Sequence, residues 1–318
     1  MGLKNDVLTY LCKKQDSFVS GEELALEFGK SRAAVWKAVK SLQSEGYLID
    51  AQTNKGYRLS AENDVLNAQE IEKYINFDCK VCYYETLDST NTQAKRLINE
   101  GENGVVLVVG GEQTAGRGRQ GKSFYSPAKT GVYLSLVIHP MSRLQDAVTA
   151  TTAAAVAVCR AVEDLTDKKP GIKWVNDVYL DGRKICGILT EAVTDFETQT
   201  VTSVIVGIGI NVSTESFPDD VENASCLNVN VSRARLIAAV ANELNRIVNS
   251  SYEDYIDYYR SRSIIIGEDI DIVINGEHTY ARALGIDNQG GLEIRLSDGT
   301  LTTLHSGEIS IRKIKKEK

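Results

Sequence analysis

Histidine is nearly absent: His139, His278 and His305 are the three in a chain of 318 residues. All lie outside the polar clusters described below, so no Ser-His-Asp set is available for nucleophilic hydrolysis. Cysteine is sparse too, at positions 12, 79, 82, 159, 186 and 226. Cys79 and Cys82 form a lone CxxC with nothing nearby to complete a zinc site. The thiols read as small core residues in a reducing cytoplasm. No apolar run reaches the ~20 residues of a membrane helix; the best stretches are Val105–Val109 and Ala147–Val158. Met1–Lys14 has no apolar core or cleavage signature, so no signal peptide is expected. Excess positive charge is missing as well. The 36 Lys and Arg against 43 Asp and Glu leave a net charge of −7, which excludes adhesion to nucleic acid by bulk charge. What is present, 42% hydrophobic and 25% charged residues, excludes a wholly disordered chain and suits two or three domains.

Charge is unevenly spread. Residues 1–60 carry a net of +2 and the rest −9, which suggests different partners for head and body. In the head, Val7, Leu8 and Leu11 give a first helix its apolar stripe. Ser20 with Glu23 has the capping-box spacing, and Gly29 suits the left-handed turn that ends a second helix. Ser31 caps a third, with Val35, Val39 and Leu42 on one face, and Gly46 stops it. Tyr47–Ile49 and Tyr57–Leu59 read as strands joined through Asn54-Lys55-Gly56. That order is a winged helix-turn-helix.

Ile71, Tyr74 and Ile75 mark a linking helix within 61–77. Beyond it, Val/Ile-rich strands at 80–86, 104–110, 131–138, 184–193 and 201–211 alternate with helices near 89–100, 145–165 and 232–262. The fold class is α/β (α+β): a central mixed sheet with helices on one face. Short alternating runs over 267–314, separated by Asn275-Gly276, Gly290-Gly291 and Asp298-Gly299, suggest a small β-barrel. Lys313–Lys318 reads as a solvated tail. The expected divisions are 1–62, 63–266 and 267–318.

Four clusters carry chemistry. Gly116-Arg117-Gly118-Arg119-Gln120-Gly121-Lys122 lies between two strands. Its glycines let the backbone approach an anion and its cations can wrap phosphate oxygens. It is neither a P-loop nor a Rossmann fingerprint, and a flexible solvated loop or an RGG-like nucleic-acid contact is the plain alternative. Lys173-Trp174-Val175-Asn176-Asp177 and Arg183-Lys184-Ile185-Cys186-Gly187-Ile188-Leu189 read as strand, turn, strand. Lys184 can serve as a fixed positive charge beside a substrate, and Asn176 and Asp177 can orient a hydroxyl or hold a divalent ion. Surface solvation is the alternative for Lys173 and Arg183, and core packing for Trp174. Asp88-Ser89-Thr90-Asn91 reads first as a helix cap and second as a ligand-binding helix start. Gly207-Ile208-Gly209-Ile210-Asn211-Val212 signals a close approach to the strand, or a bulge. No nucleophile or general base stands out. The set suits a reaction in which the substrates supply nucleophile and leaving group while the enzyme aligns them and neutralises charge, such as nucleotidyl transfer onto a carboxylate.

Taken together and in this order, Asp88–Asn91, Gln113–Gly121, Lys173–Asp177, Arg183–Leu189 and Gly207–Val212 resemble the motifs of the biotin protein ligases. The head resembles the DNA-binding domain of their bifunctional members, and 267–314 their SH3-like C-terminal domain. The resemblance implies formation of biotinyl-5′-AMP and pyrophosphate from biotin and ATP with Mg²⁺, then transfer of biotin to one lysine of a biotin carboxyl carrier protein, such as that of acetyl-CoA carboxylase. It implies that Ser89, Thr90, Asn91, Gln113, Arg117, Gly118, Arg119 and Lys184 bind biotin. It assigns the adenylate to Arg117, Arg119, Lys122, Phe124, Asn176 and Asn211, catalysis to Lys184 and Arg119, and a metal contact to Asp177. The family's common loop has Arg where Gln120 stands, often Trp where Phe124 stands, and Pro is usual at Val175.

For the head it implies repression of biotin genes by the adenylate-bound homodimer. The helix-turn-helix spans about Gly21 to Lys40, with Ser31, Arg32, Trp36, Lys37 and Lys40 as helix contacts and Lys55 and Arg58 on the wing. Trp36, beside the buried stripe, is expected to be half-buried rather than on a base. A net of +2 is a weak footprint, so operator binding needs a dimer, formed through a sheet edge near 184–211. The other readings are a ligase whose head has no repressor role, a lipoate- or octanoate-type acyl ligase, and a transcription factor that senses a small acid.

Overall fold

The computed structural model describes residues 2–14, 17–60, 63–139, 147–194, 197, 200–219, 221, 223–250, 253–274, 277–305 and 308–311. The Asn275-Gly276 turn and the Lys313–Lys318 tail fall outside this set. The chain divides into two compact units, Met1–Leu66 with Asn230–Ala234, and Asn67–Val229 with Arg235–Lys318.

In the first unit, α1 (Leu3–Lys13), α2 (Gly21–Glu27) and α3 (Arg32–Ser44) precede a hairpin of β1 (Ile49–Gln52) and β2 (Gly56–Leu59). Ser20 and Ser31 cap α2 and α3 by accepting from the Glu23 and Ala34 amides at 3.0 and 3.2 Å. Gly29 turns the chain between them at φ +59°. Val7, Leu11, Leu24, Val35, Val39 and Leu42 meet in one buried core, each contributing about 1.5–3 kcal/mol by leaving water. The first strand starts at Ile49 rather than Tyr47, whose amide donates back to Leu42 O of α3 at 3.1 Å. Asp64 binds both the Arg233 amide, at 2.8 Å, and its Nε, at 2.5 Å.

In the second unit, α4 (Ala68–Glu72) leads into a seven-stranded sheet. Its strands are β3 (Lys80–Tyr84), β4 (Val106–Gly110), β5 (Gly131–Ile138), β6 (Gly171–Lys173), β7 (Asp177–Leu180), β8 (Arg183–Thr194) and β9 (Val201–Asn211), ordered 3-4-5-9-8-7-6. Only β3 and β4 run parallel, so the sheet is mixed as expected. Helices, however, lie on both faces. Leu189 pairs with Gly207, and Thr190 with Val206, so these pairs point to opposite sides. At the start of α5 (Thr90–Asn99), Asn91 meets Ser135 at 2.6 Å on the Gly207 side. Thr151 of α6 (Ala147–Leu165) meets Thr190 at 2.8 Å on the other.

The helix expected over 232–262 is two, α7 (Arg233–Val248) and α8 (Glu253–Arg262). Asn249 and Ser250 turn their side chains back onto the carbonyls of Asn245 and Ile247, both at 2.8 Å, and compete with the next helical turn. The alternating runs after 267 form β10 (Asp269–Ile274), β11 (Glu277–Ile286), β12 (Leu292–Leu296), β13 (Leu301–Leu304) and β14 (Glu308–Ile311). The expected barrel is, among the described residues, an antiparallel sheet with β13 and β14 at its two ends. No described helix is long and apolar enough to cross a membrane.

Replacing the α2 cap, Ser20→Ala, should cost the head about 1 kcal/mol. Hydrogen exchange at the Glu23 amide should quicken about fivefold, with the α6 amides unchanged.

Candidate active site and DNA-binding face

The glycine face of the sheet floors a cavity of about 250 Å³. Gly187 pairs with Gly209 across β8 and β9, and Gly207 pairs with Ser135 on β5. There is no bulge at Gly207 or Gly209; close approach is the reason for both. A Cβ on Gly207 would sit 2.1 Å from Asn91 Oδ1, and one on Gly209 2.4 Å from the Phe124 ring. The helix start and Phe124 therefore rest on bare strand.

Three cavity-wall features follow from local structure. First, the Asp88–Asn91 turn is not capped by its own serine. Ser89 makes no capping hydrogen bond and lines the cavity. Gln113 caps instead, its Oε1 accepting from the Thr90 amide at 2.9 Å and Thr90 Oγ1 at 3.2 Å, while its Nε2 donates to Ser126. Second, a bulge between β7 and β8 turns Lys184. Val178 pairs with Cys186 but Tyr179 with Lys184, leaving Ile185 as the extra residue. Plain alternation would send Lys184 to the Cys186 side; the bulge sends it to the side of Asp177 and Gly187. Its backbone is held by Asn223 O and Ser225 N, both at 2.8 Å. Third, Trp174 is 3% exposed and donates from Nε1 to Gly290 O at 2.8 Å. It is a core residue that also forms cavity wall.

The cavity is electropositive. Arg117, Arg119, Lys122, Lys173 and Lys184 line it against one carboxylate, Asp177, among the described residues. Lys184 Nζ lies 2.7 Å from Asp177 Oδ1, which also accepts from Asn176 Nδ2 at 3.0 Å. Arg119 donates to Asn176 Oδ1 at 3.0 Å. Lys173 is thus not a solvated surface residue; its Nζ lies 5.5 Å from the Tyr179 ring centre, and burial first, then Asp177, pushes the Tyr179 hydroxyl up to about 12. Arg183 is exposed. The described thiols are all free, and burial holds Cys79 up at about 11 and Cys186 well above the ordinary thiol range. Cys159 and Cys186 are core residues, while Cys12, Cys79, Cys82 and Cys226 are half-buried. No described group of three His, Cys, Asp or Glu could cage a metal ion.

Ser89, Thr90, Asn91, Gln113, Arg117, Gly118, Arg119, Lys122, Phe124, Asn176, Asp177 and Lys184 all converge on this cavity. Asn211 does not line it. It is 4% exposed at the end of β9, its Nδ2 donating to Ser225 O at 3.0 Å while its buried Oδ1 has no partner. Sequence reasoning missed Ser123, Ile309 and Glu191. Ile309 comes from β14, 125 positions after Lys184, and no local signal marks it. Glu191, two residues beyond Leu189, accepts from Asn91 and Lys95 and pairs with Arg117.

In the first unit, α3 and the β1–β2 wing form a concave face lined by Arg32, Trp36, Lys40, Asn54 and Lys55. Trp36 is 52% exposed and points into this face. Ser31 is used as the α3 cap, and Lys37 is exposed but outside the concavity. Arg58 lies 4.8 Å from the Phe18 ring centre and pairs with Asp50. As for the expected edge, β9 is interior, between β5 and β8. Along β8, described partners on the β7 side end at Gly187 and Ile188, so Leu189–Thr194 has β9 on one side only.

Residues 83–211 match the biotin/lipoate A/B protein ligase family, 4–58 an HTH domain, and 265–312 the biotin protein ligase C-terminal domain. The chain is 33% identical to the bifunctional ligase/repressor BirA of Bacillus subtilis (strain 168), over 97% of this chain and 98% of that protein. The chain belongs to the biotin protein ligase family. The Escherichia coli (strain K12) bifunctional ligase/repressor BirA is 29% identical over 94% of each chain. Among solved structures, the biotin protein ligase from Aquifex aeolicus in complex with biotin and ATP shares the fold, with a TM-score of 0.62 at 24% identity, over 74% of this chain and 99% of that one.

Gly207→Ala forces Asn91 away from Ser135 and Glu191. We expect a loss of about 1–3 kcal/mol in thermal or urea unfolding, together with loss of ligand binding by calorimetry.

Proposed function

We propose that this protein is a biotin protein ligase whose liganded dimer represses transcription of biotin genes. The observation that carries the ligase reading is the cavity with five cations around one carboxylate, floored by glycines. Such a site suits two anions that repel each other until paired. The carboxylate of biotin attacks the α-phosphorus of ATP, an O–P bond forms, and pyrophosphate leaves with the broken P–O bond. Lys184, aimed by the bulge and held by Asp177, stabilises the α-phosphoryl charge, and Arg119 the adenylate. Arg117, Gly118 and Lys122 close over the product. In the second step the neutral amine of a carrier lysine attacks the mixed anhydride, the amide forms, AMP leaves and the amine proton passes to solvent.

Ser89, Thr90, Asn91 and Gln113 form the polar end for biotin. Phe124 offers a ring face to adenine. Asp177 is the residue that would hold Mg²⁺, and the ion would neutralise phosphate charge. We assign 1–62 to DNA binding, 63–266 to biotin and ATP, and 267–318 to a C-terminal SH3-like part. The cytoplasm, where ATP, operator DNA and reduced thiols coexist, is the proposed place of work.

The concave cationic face of the head supports the repressor role, with Arg32, Trp36, Lys40 and Lys55 toward DNA. The one-sided edge at Leu189–Thr194 supports pairing of two copies by sheet extension.

The deciding assay is pyrophosphate release from ATP with biotin, lipoate or octanoate, with and without a biotin carrier domain. We expect release with biotin alone and label on the carrier lysine. Release with another acid would move the substrate, and no release would sink the enzyme reading. In the same assay Lys184→Ala should lower the rate about 10²–10³-fold while circular dichroism is unchanged. For the head, anisotropy with the protein's own upstream operator should show tighter binding once biotin and ATP are added. Lys40→Ala should reduce the salt slope by about one per head; an unchanged slope removes Lys40 from the DNA face.

A further inference from the structure

One carboxylate outside the cavity lining touches both sides of it. Glu191 lies on β8 with its side chain 17% exposed. Its Oε2 accepts from Asn91 Nδ2 at 2.8 Å, and its Oε1 lies 2.7 Å from Lys95 Nζ and 3.3 Å from Arg117 Nη1. Both Nδ2 hydrogens of Asn91 are taken, the second by Leu189 O at 3.2 Å, while Oδ1 accepts from Ser135 at 2.6 Å and keeps a second lone pair. Glu191 therefore fixes which way the Asn91 amide faces. Arg117 is different. It is half-exposed, lines the cavity, and has its carboxylate partner at a longer distance than Lys95 has.

We propose that Glu191 is a positioning residue with two duties: it orients Asn91 for the acid substrate, and it holds the Arg117 guanidinium of the glycine-rich loop until a phosphate takes that guanidinium over. A phosphate offers Arg117 two parallel acceptors, against one oxygen of Glu191. A buried carboxylate abandoned by its only cation would be costly. Here Lys95 stays behind, so Arg117 can leave without stranding the charge. Burial alone would raise the Glu191 carboxyl, but the hydrogen bonds from Lys95 and Asn91 outweigh it and hold it below its ordinary range, so it is ionised when Arg117 departs. This inference rests on the adenylate-forming reading of the cavity.

Two variants of the full-length protein separate the duties. Glu191→Gln keeps an acceptor for Asn91 but loses the charge. Glu191→Ala loses both. Trypsin cutting after Arg117, Arg119 and Lys122 reads the loop, and pyrophosphate release reads the chemistry. In ligand-free protein, Glu191→Gln should be cut about three- to fivefold faster than the native chain, the scale of a half-exposed ion pair. With biotin and ATP the two should be cut alike. Glu191→Ala should raise the KM for biotin about tenfold or more, which Gln restores. Equal cutting of native and Glu191→Gln protein without ligand overturns the hold on Arg117, and equal KM in the Ala and Gln variants overturns the orientation of Asn91. If the native protein releases no pyrophosphate with any acid, the function reading fails, while the ligand-free cutting comparison still decides the hold on Arg117.

Discussion

Across β8 and β9 the pair Gly187–Gly209 and the neighbouring Gly207 leave one stretch of sheet without side chains, and the cavity exists because of that gap. A sheet face ordinarily fills with Val and Ile and buries itself under a helix. Here Asn91 settles onto Gly207 and the Phe124 ring onto Gly209, at distances no Cβ would permit. The opposite face of the same strands is packed conventionally, with Ile185, Cys186, Val206 and Ile210 fully buried. One face of β8 and β9 supplies rigidity and the other supplies room, so a preorganised charge can sit on a frame that does not move with it.

The electrostatics follow from this floor. Five cations on an otherwise acidic chain would repel one another, and the structure spreads polar and charged partners for them around the rim. Asp177 serves Lys184, Asn176 serves Arg119, and Glu191 serves Arg117 together with Lys95. Each partner is displaceable by a phosphate oxygen, which is how a site for anions can be stable before its ligand arrives.

Much of this was legible in the order of residues. The caps at Ser20 and Ser31, the stripe Val35, Val39, Leu42 and the strand 201–211 stand where the periodicity puts them, because those signals depend on neighbours within a turn or a strand. The loop 116–122, Lys184 and the Asp88–Asn91 turn were marked by residue types that have no business in a core, and all reach the cavity. Where the reading slipped, distant partners decided. Helices occupy both faces because Asn91 must meet Gly207 while Thr151 meets Thr190. The helix over 232–262 broke where Asn249 and Ser250 found carbonyls of their own chain.

By itself, then, the sequence determined the local elements, the placement of cations and glycines, and through its motifs the family to which the chain belongs. Tertiary structure decided which atoms face each other. That Gln113 caps a helix 23 residues away, that Ile309 walls a cavity built around Lys184, and that Glu191 ties Asn91 to Arg117 are facts of long-range pairing. The bulge at Ile185 is the sharpest case. A one-residue change of register turns a side chain to the other face of a sheet, and strand periodicity alone would have pointed Lys184 away from the site.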